Sequence, residues 1–212
     1  MADVTRNARF WDRAARKYAA SRIGDPQGYE RSVQSLRDRL RPQDRVVEFG
    51  CGTGTTALRL APHAADISAS DISSAMIAIA RDKARAEGCG NVRFQVAAPE
   101  TAGWPDDHFD VAVAMNVLHL IEDRGAALRA VHRTLRPGGI FVSKTPCLTE
   151  MTPLIRIAVP VMQLIGKAPF VAFLSAAELE REIAGAGFQI VERARHGTRG
   201  RDIRPYLVAR RQ

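Results

Sequence analysis

Three glycines two residues apart, Gly50, Gly52 and Gly54, follow a short apolar run, Val46-Val47-Glu48-Phe49, and lead into a helix-forming stretch that reaches Leu60. A short strand, a tight glycine turn and a helix in that order form the opening unit of a parallel α/β sheet. Glycine removes the side chain where the backbone must bend sharply and lets a ligand come close. Open α/β sheets bind ligands beyond the carboxyl ends of their strands, where the strand order switches. The turn is the first place to look for a site.

The periodicity on either side extends this unit. Phe10, Trp11, Ala14, Ala15 and Tyr18 recur at helical spacing. After a break at Gly24-Asp25-Pro26 a second helix is predicted over 28–40, closed by Pro42. Strands are predicted over 46–49, 65–70, 91–96, 109–115 and 140–144, with helices over 73–87 and 123–135, the latter preceding Arg136-Pro137-Gly138-Gly139. A helix over 176–186 then precedes strands over 188–194 and 206–209, which lack a helix between them and so should pair antiparallel. Strands alternating with helices imply a mostly parallel sheet covered on both faces. The chain reads as α/β, a single doubly wound, Rossmann-like domain with an N-terminal helical extension.

At 212 residues, with 46% hydrophobic and 25% charged residues, the chain can build one large core and is not disordered. Cys51, Cys89 and Cys147 lack metal-type spacing, and their odd count suits a reducing compartment better than a disulfide framework; the first residues lack the apolar run of a signal peptide, and the cytoplasm is the expected location. The segment 153–174 is strongly apolar but is interrupted by Arg156, Pro160, Lys167 and Pro169. A spanning helix needs about 20 apolar residues with few charges, so two short helices are predicted instead. Lys plus Arg outnumber Asp plus Glu by 31 to 23, giving a formal charge of +8. The basic residues are spread out, with a local concentration at Arg199, Arg201, Arg204, Arg210 and Arg211. A solvated basic surface is the first reading; nucleic acid and an anionic membrane are the alternatives.

Two details narrow what the glycine turn can hold. A dinucleotide fingerprint, G-x-G-x-x-G, would need glycine at position 55, where this chain has Thr55. Glu48 stands at the strand's end, where a carboxylate would repel a pyrophosphate and favour a cation such as S-adenosylmethionine (SAM). Asp71, at the end of the second strand, can accept hydrogen bonds from both hydroxyls of a ribose, although Asp before a helix is also a common cap, a role open to Ser73 or Ser74. Ile72 can pack on an adenine face.

Taken in order, Val46-Val47-Glu48-Phe49-Gly50-Cys51-Gly52-Thr53-Gly54, Ser70-Asp71-Ile72-Ser73, Phe109-Asp110-Val111 and Leu135-Arg136-Pro137-Gly138-Gly139 resemble the motif series of class I SAM-dependent methyltransferases. Phe10-Trp11-Asp12 with Tyr18 is similar to the ubiquinone/menaquinone-type small-molecule branch. The resemblance implies a seven-stranded sheet with its last strand antiparallel, SAM across strands one to four, and an N-terminal helix over the site. It divides the chain into a helical cap (1–42), a SAM-binding core (43–146), a substrate lid insertion (147–175) and a C-terminal helix with a strand pair (176–212).

Carried over by position, the resemblance puts Glu48 near the methionine ammonium and Gly50, Cys51, Gly52 and Gly54 beside the cofactor. It puts Asp71 on the ribose, Asn116 against the methionine part and Tyr18 near the cofactor carboxylate. Relatives carry an acidic residue after strand three for the adenine amino group; here Ala98 and Pro99 occupy that place, leaving backbone groups to make the contact. Asp106 and Asp107 read as a turn.

Methyl transfer from a sulfonium is an in-line displacement that gains most from alignment of its reactants and needs no metal. His119, just past strand four, is the candidate catalytic base, with packing beneath the cofactor as its alternative role. No Asn/Asp-Pro-Pro-Tyr follows strand four, which argues against nucleic acid as the acceptor. The apolar excess in 147–174 points to a lid over a small, hydrophobic acceptor (a metabolite, quinone precursor or lipid), or to peripheral contact with a membrane. An RNA-modifying enzyme and a SAM-binding protein without transferase activity are the alternatives.

Overall fold

The structure, a computed structural model, describes residues 2–151, 154–200 and 202–212; Pro153 and Arg201, both named above, lie outside them. Two helices, α1 (Ala2–Ala20) and α2 (Pro26–Arg37), precede the alternating part, β1 (Arg45–Phe49), α3 (Thr55–Leu60), β2 (Asp66–Asp71), α4 (Ser74–Ala86), β3 (Val92–Val96) and β4 (Phe109–Met115). Then come α5 (Arg124–Thr134), β5 (Leu135–Lys144), α6 (Ile155–Leu164), α7 (Ala176–Gly185), β6 (Phe188–Ala194) and β7 (Tyr206–Arg211). The strands form one seven-stranded sheet in the order β3-β2-β1-β4-β5-β7-β6. β1 to β5 are parallel, and β7 is antiparallel to both β5 and β6. The sheet is thus the Rossmann-like one expected.

Alternation along each strand feeds two cores. Val46 faces α2 and α3 together with Leu36, Leu60, Ile67 and Val113. Val47 and Phe49 face the other way, onto Leu128 and Val131 of α5 and Leu179 and Ile183 of α7. Each such side chain, fully buried, contributes about 1.5–3 kcal/mol. Local signals set the helix starts. The Ser73 hydroxyl accepts the Met76 N–H, and Ser175 and Glu178 form a reciprocal capping box on α7.

Two predicted features change. β5 starts at Leu135 rather than Ile140, with Arg136-Pro137-Gly138-Gly139 forming an irregularity inside it, because Leu135 already pairs with Phe109 and pairing resumes only at Ile140 with Val111. Among the described residues, 153–174 carries one helix, not two. Gly166 takes a φ of +69°. It donates to Gln163 O at 3.0 Å while Lys167 donates to Met162 O at 2.7 Å. This glycine-centred stop ends α6. Pro169 follows, and among the described residues no helix resumes before Ala176.

Candidate functional site

β1 and β4 are sheet neighbours whose connections leave in opposite directions. Where they end, a cavity of about 870 Å³ opens beneath α1, at the upper end of the volumes that hold small ligands. Gly50 and Gly52 form its floor, Asp71, Ile72, Ala98 and Pro99 one wall, and Asn116 and His119 the other, with Trp11 and Tyr18 above.

The floor requires glycine for two different reasons. Gly50 has a φ of +63°, and a Cβ there would lie 2.2 Å from the Val117 side chain. Gly52 has a φ of +52° and its missing Cβ would meet only the Tyr18 ring edge at 3.8 Å, so the backbone is open to the cavity. Asp71 locks this turn to the next. One carboxylate oxygen accepts the Gly52 N–H at 3.0 Å and the other the Ser73 N–H at 2.9 Å. An ionised carboxylate has about four acceptor positions, so two remain for a ligand's hydroxyls. Burial raises the Asp71 pKa, and its two backbone donors pull it back.

Asn116 ends β4 in a left-handed conformation with a φ of +56°, its N–H given to Lys144 O at 2.7 Å. Asparagine tolerates that backbone better than most residues, and a strained residue on a cavity wall marks a functional position. Glu48 is buried under the turn. Its Oε2 has no hydrogen-bond partner among the described residues. Burial pushes its pKa up to about 8 against one opposing backbone N–H, from Ala57.

The cavity walls carry four carboxylates, Asp71, Glu100, Glu122 and Asp123, and no lysine or arginine among the described lining residues. In a chain of formal charge +8 this is a local reversal of sign. Such a cavity attracts a cation and repels a phosphate. The residues present fit SAM: an orphaned buried carboxyl under the turn, an open glycine backbone, and a carboxylate with room for two hydroxyls.

Residues 46–139 match the family described as "Methyltransferase domain". That match takes in less than half of the chain and makes residues 46–139 similar to a methyltransferase domain. Among curated proteins, the chain is similar to the uncharacterized methyltransferase YcgJ of Bacillus subtilis strain 168, 34% identical over 102 residues that cover 48% of this chain and 40% of that protein. It is also similar to the ubiquinone/menaquinone biosynthesis C-methyltransferase UbiE of Vibrio campbellii, 37% identical over 103 residues, 47% of this chain and 40% of that protein. The matched region thus spans about two-fifths of the length of these relatives. Among solved structures, a possible histamine N-methyltransferase from Thermotoga maritima superposes with a TM-score of 0.71 at 20% identity, covering 97% of this chain and 99% of that one. At that identity the superposition speaks for the fold.

Tyr18, Gly50, Gly52, Asp71, Ile72, Ala98, Pro99, Asn116 and His119, scattered over a hundred residues of sequence, meet on one cavity. Three residues assigned to the cofactor stand off its wall. The Glu48 side chain shares the Val46 face of β1 and is buried beneath the turn, close enough to Tyr18 and Asp71 for their charges to couple. Cys51 gives its N–H to Ser70 O at 2.9 Å and its thiol to the core. Gly54, with a φ of +75°, is where the turn packs on α4 and β3; a Cβ there would lie 2.9 Å from Ala80 and from the Phe94 ring.

The structure also adds residues. Glu100, two positions beyond Ala98, brings a carboxylate to the wall where the resemblance expects one; Ala98 itself spends its N–H and C=O on Thr101. The acid was legible in Ala98-Pro99-Glu100, displaced by a turn. Asn7 holds the roof, donating to Glu122 at 3.2 Å and accepting the Phe170 N–H at 3.0 Å. Asp12 fixes α1 to the start of α4, accepting from Ser73 Oγ at 2.7 Å and Ala75 N at 3.0 Å.

His119 lies in a short 3₁₀ turn, Leu118–Leu120, whose carbonyl at His119 accepts the Ala172 N–H at 2.7 Å. Its Nδ1 is buried without a partner among the described residues, and desolvation lowers its pKa to about 4. The imidazole is therefore neutral throughout the physiological range.

Proposed function

We propose that this chain is a methyltransferase that moves a methyl group from SAM to a small apolar acceptor. The observation that carries the reading is the acid-lined, cation-selective cavity in a basic protein. Bound there, SAM supplies an electrophilic methyl group. Asp71 holds the ribose hydroxyls, the Gly50 and Gly52 backbone lies against the cofactor, Asn116 faces its methionine part, and Glu100 accepts from the adenine amino group. Tyr18 and Trp11 close over it and exclude water.

A second chamber of about 430 Å³ adjoins the first and shares His119, Pro146 and Val171 with it. Leu148, Met151, Ile155, Val159 and Ile203 make its walls apolar, and the ion pair Asp202–Arg204 also lines it. An apolar acceptor lying there meets His119 where the two chambers join. A base with a pKa near 4 does not ionise a resting hydroxyl or amine. It accepts a hydrogen bond from the nucleophile, fixes its direction, and takes the proton once bond formation has made that proton strongly acidic. His119 on this reading is an orienting group and a late proton acceptor.

The experiment is a transfer assay with methyl-labelled SAM against phenols and quinols, isoprenoid and fatty acids, aliphatic amines, and RNA. Label in an apolar small molecule, with S-adenosylhomocysteine formed in equal amount, is the expected result. Label in RNA alone would replace the reading, and SAM binding without transfer to any acceptor would reduce it to a binding protein.

A further inference from the structure

The roof of the second chamber has an outer side. Ile155 and Val159 of α6 line the chamber from above. The same helix and its flanks turn Leu154, Val161, Leu164 and Ile165 to solvent at 74%, 55%, 85% and 58% exposure. Burying that much aliphatic surface is favourable, and its concentration on one short element marks a contact surface. From 151 to 174 the sequence has no Asp or Glu, and it carries Arg156 and Lys167.

A basic stripe borders this patch. Arg6, Arg9, Arg13 and Arg16 on α1 are spaced three, four and three apart, which aligns them on one helix face, and all four are exposed. Arg6 donates to Gln163 O at 3.1 Å, tying the start of the stripe to the end of α6. Arg6 and Arg13 border one crevice with Gly166 and Ala168. The nearest acid on α1, Asp12, is turned away onto Ser73 and Ala75. Glu122 reaches the crevice behind Arg6 and Arg13, while the row of arginines itself lies exposed; aliphatic side chains flanked by exposed arginines on one face are the make-up of a helix that lies in a membrane interface. At ten residues α6 is about 15 Å long, so it lies along such a surface and does not cross it. Among the described residues no helix is long and apolar enough to span a bilayer.

We infer that the face made by α6 and the arginine stripe of α1 docks this protein on an anionic lipid bilayer. Charge complementarity selects that occupant. A second copy, paired symmetrically through this face, would set one arginine stripe against another. Single-stranded nucleic acid is held by aromatic side chains that stack on bases, and the exposed side chains here are aliphatic. Docking in this orientation places the second chamber next to the lipid, where an apolar acceptor is dissolved. That last step rests on the proposed function; the docking itself does not.

The test is vesicle flotation, read without turnover. Phosphatidylcholine vesicles containing a quarter phosphatidylglycerol are compared with pure phosphatidylcholine, using the wild type, Arg9→Gln/Arg13→Gln/Arg16→Gln and Leu164→Ser/Ile165→Ser. The wild type should float with the anionic vesicles and release as salt rises. The arginine triple variant should bind on the order of a hundredfold more weakly, each basic residue near a charged membrane being worth about fivefold. The serine variant should also lose binding. Circular dichroism and SAM calorimetry verify that both variants remain folded, and failed SAM binding by the wild type would sink the proposed function while leaving the flotation result intact. Equal flotation with neutral vesicles, no flotation with either, or unchanged flotation of both variants would overturn the inference. So would a wild-type dimer in light scattering that Leu164→Ser/Ile165→Ser dissociates, or tight binding to an RNA oligonucleotide with none to vesicles.

Discussion

Glu48→Gln should remove a pH dependence of stability that the wild type shows. Glu48 is buried, with one carboxyl oxygen unpartnered among the described residues, and its pKa moves from 4.5 to about 8. At about 1.4 kcal/mol per pH unit, that displacement sets about 5 kcal/mol against the ionised form in the folded chain. Between pH 4.5 and about 8 the folded state binds more protons at this position than the unfolded state does. Stability from this group is therefore fully present below pH 4.5 and is lost as pH rises through about 8. Glutamine imitates the protonated acid and cannot ionise. Urea unfolding of both proteins at pH 5.5 and 8.5 isolates the effect, because every other titrating group is common to the two. The wild type should lose about 3 kcal/mol more than the variant on going to the higher pH. Equal losses, within about 1 kcal/mol, would refute the placement of an uncompensated acid beneath the turn. A cation bound above Glu48 would favour its ionisation, so SAM binding near neutral pH should release up to one proton in the wild type and none in the variant. Calorimetry in buffers of different ionisation enthalpy reads this directly.

Three further outcomes follow from the geometry. His119→Ala should cut turnover while SAM affinity holds within about twofold, and the wild-type rate should show no limb near 6.5, since the imidazole pKa sits at about 4; a limb near 6.5 in the rate profile would refute the late-acceptor role. Gly54→Ala combines left-handed strain with the 2.9 Å contacts to Ala80 and Phe94 and should cost about 2–4 kcal/mol. Gly138→Ala, with a φ of +78° and nothing within 4 Å, should cost only about 1–2 kcal/mol; equal losses on urea unfolding would contradict the packing role. Asp12→Ala removes the acceptor of the Ala75 N–H at the start of α4 and should destabilise by about 1–2 kcal/mol. Faster amide exchange along α1 and weaker SAM binding should accompany it, and an unchanged α1 would show the anchor to be idle.

The sheet was readable in the sequence because its strands are short, apolar and punctuated by glycine, proline and aspartate; 109–115 is the strand that formed. Asp71 and Asn116 were readable from their places at strand ends, which topology carries to one edge of the sheet. What the one-dimensional pattern could not give was side. Glu48 lies at the right strand end but is buried beneath the turn, off the cavity lining, although its charge couples to Tyr18 and Asp71 on that lining. Cys51 and Gly54 sit inside the motif yet serve the core and the helix–sheet contact. Glu100 was legible two residues past Ala98, but its place on the wall depends on a turn stabilised by Thr101 that a strand-end count does not include. The roof was hidden for a different reason: Asn7, Glu122 and Phe170 are joined by hydrogen bonds across more than a hundred residues. The second helix expected in the apolar segment failed on Gly166 and Pro169, whose stop signals outweighed hydrophobicity.

The central claim is that the acid-lined cavity holds SAM through Asp71, and calorimetric titration of SAM into the wild type and Asp71→Ala tests it most directly. The account predicts that the wild type binds SAM and does not bind NAD. It predicts that Asp71→Ala binds SAM more weakly by about 1.5–3 kcal/mol, tenfold or more, through loss of charge-assisted hydrogen bonds. Unchanged SAM affinity in Asp71→Ala, or binding of NAD in preference to SAM, would contradict it.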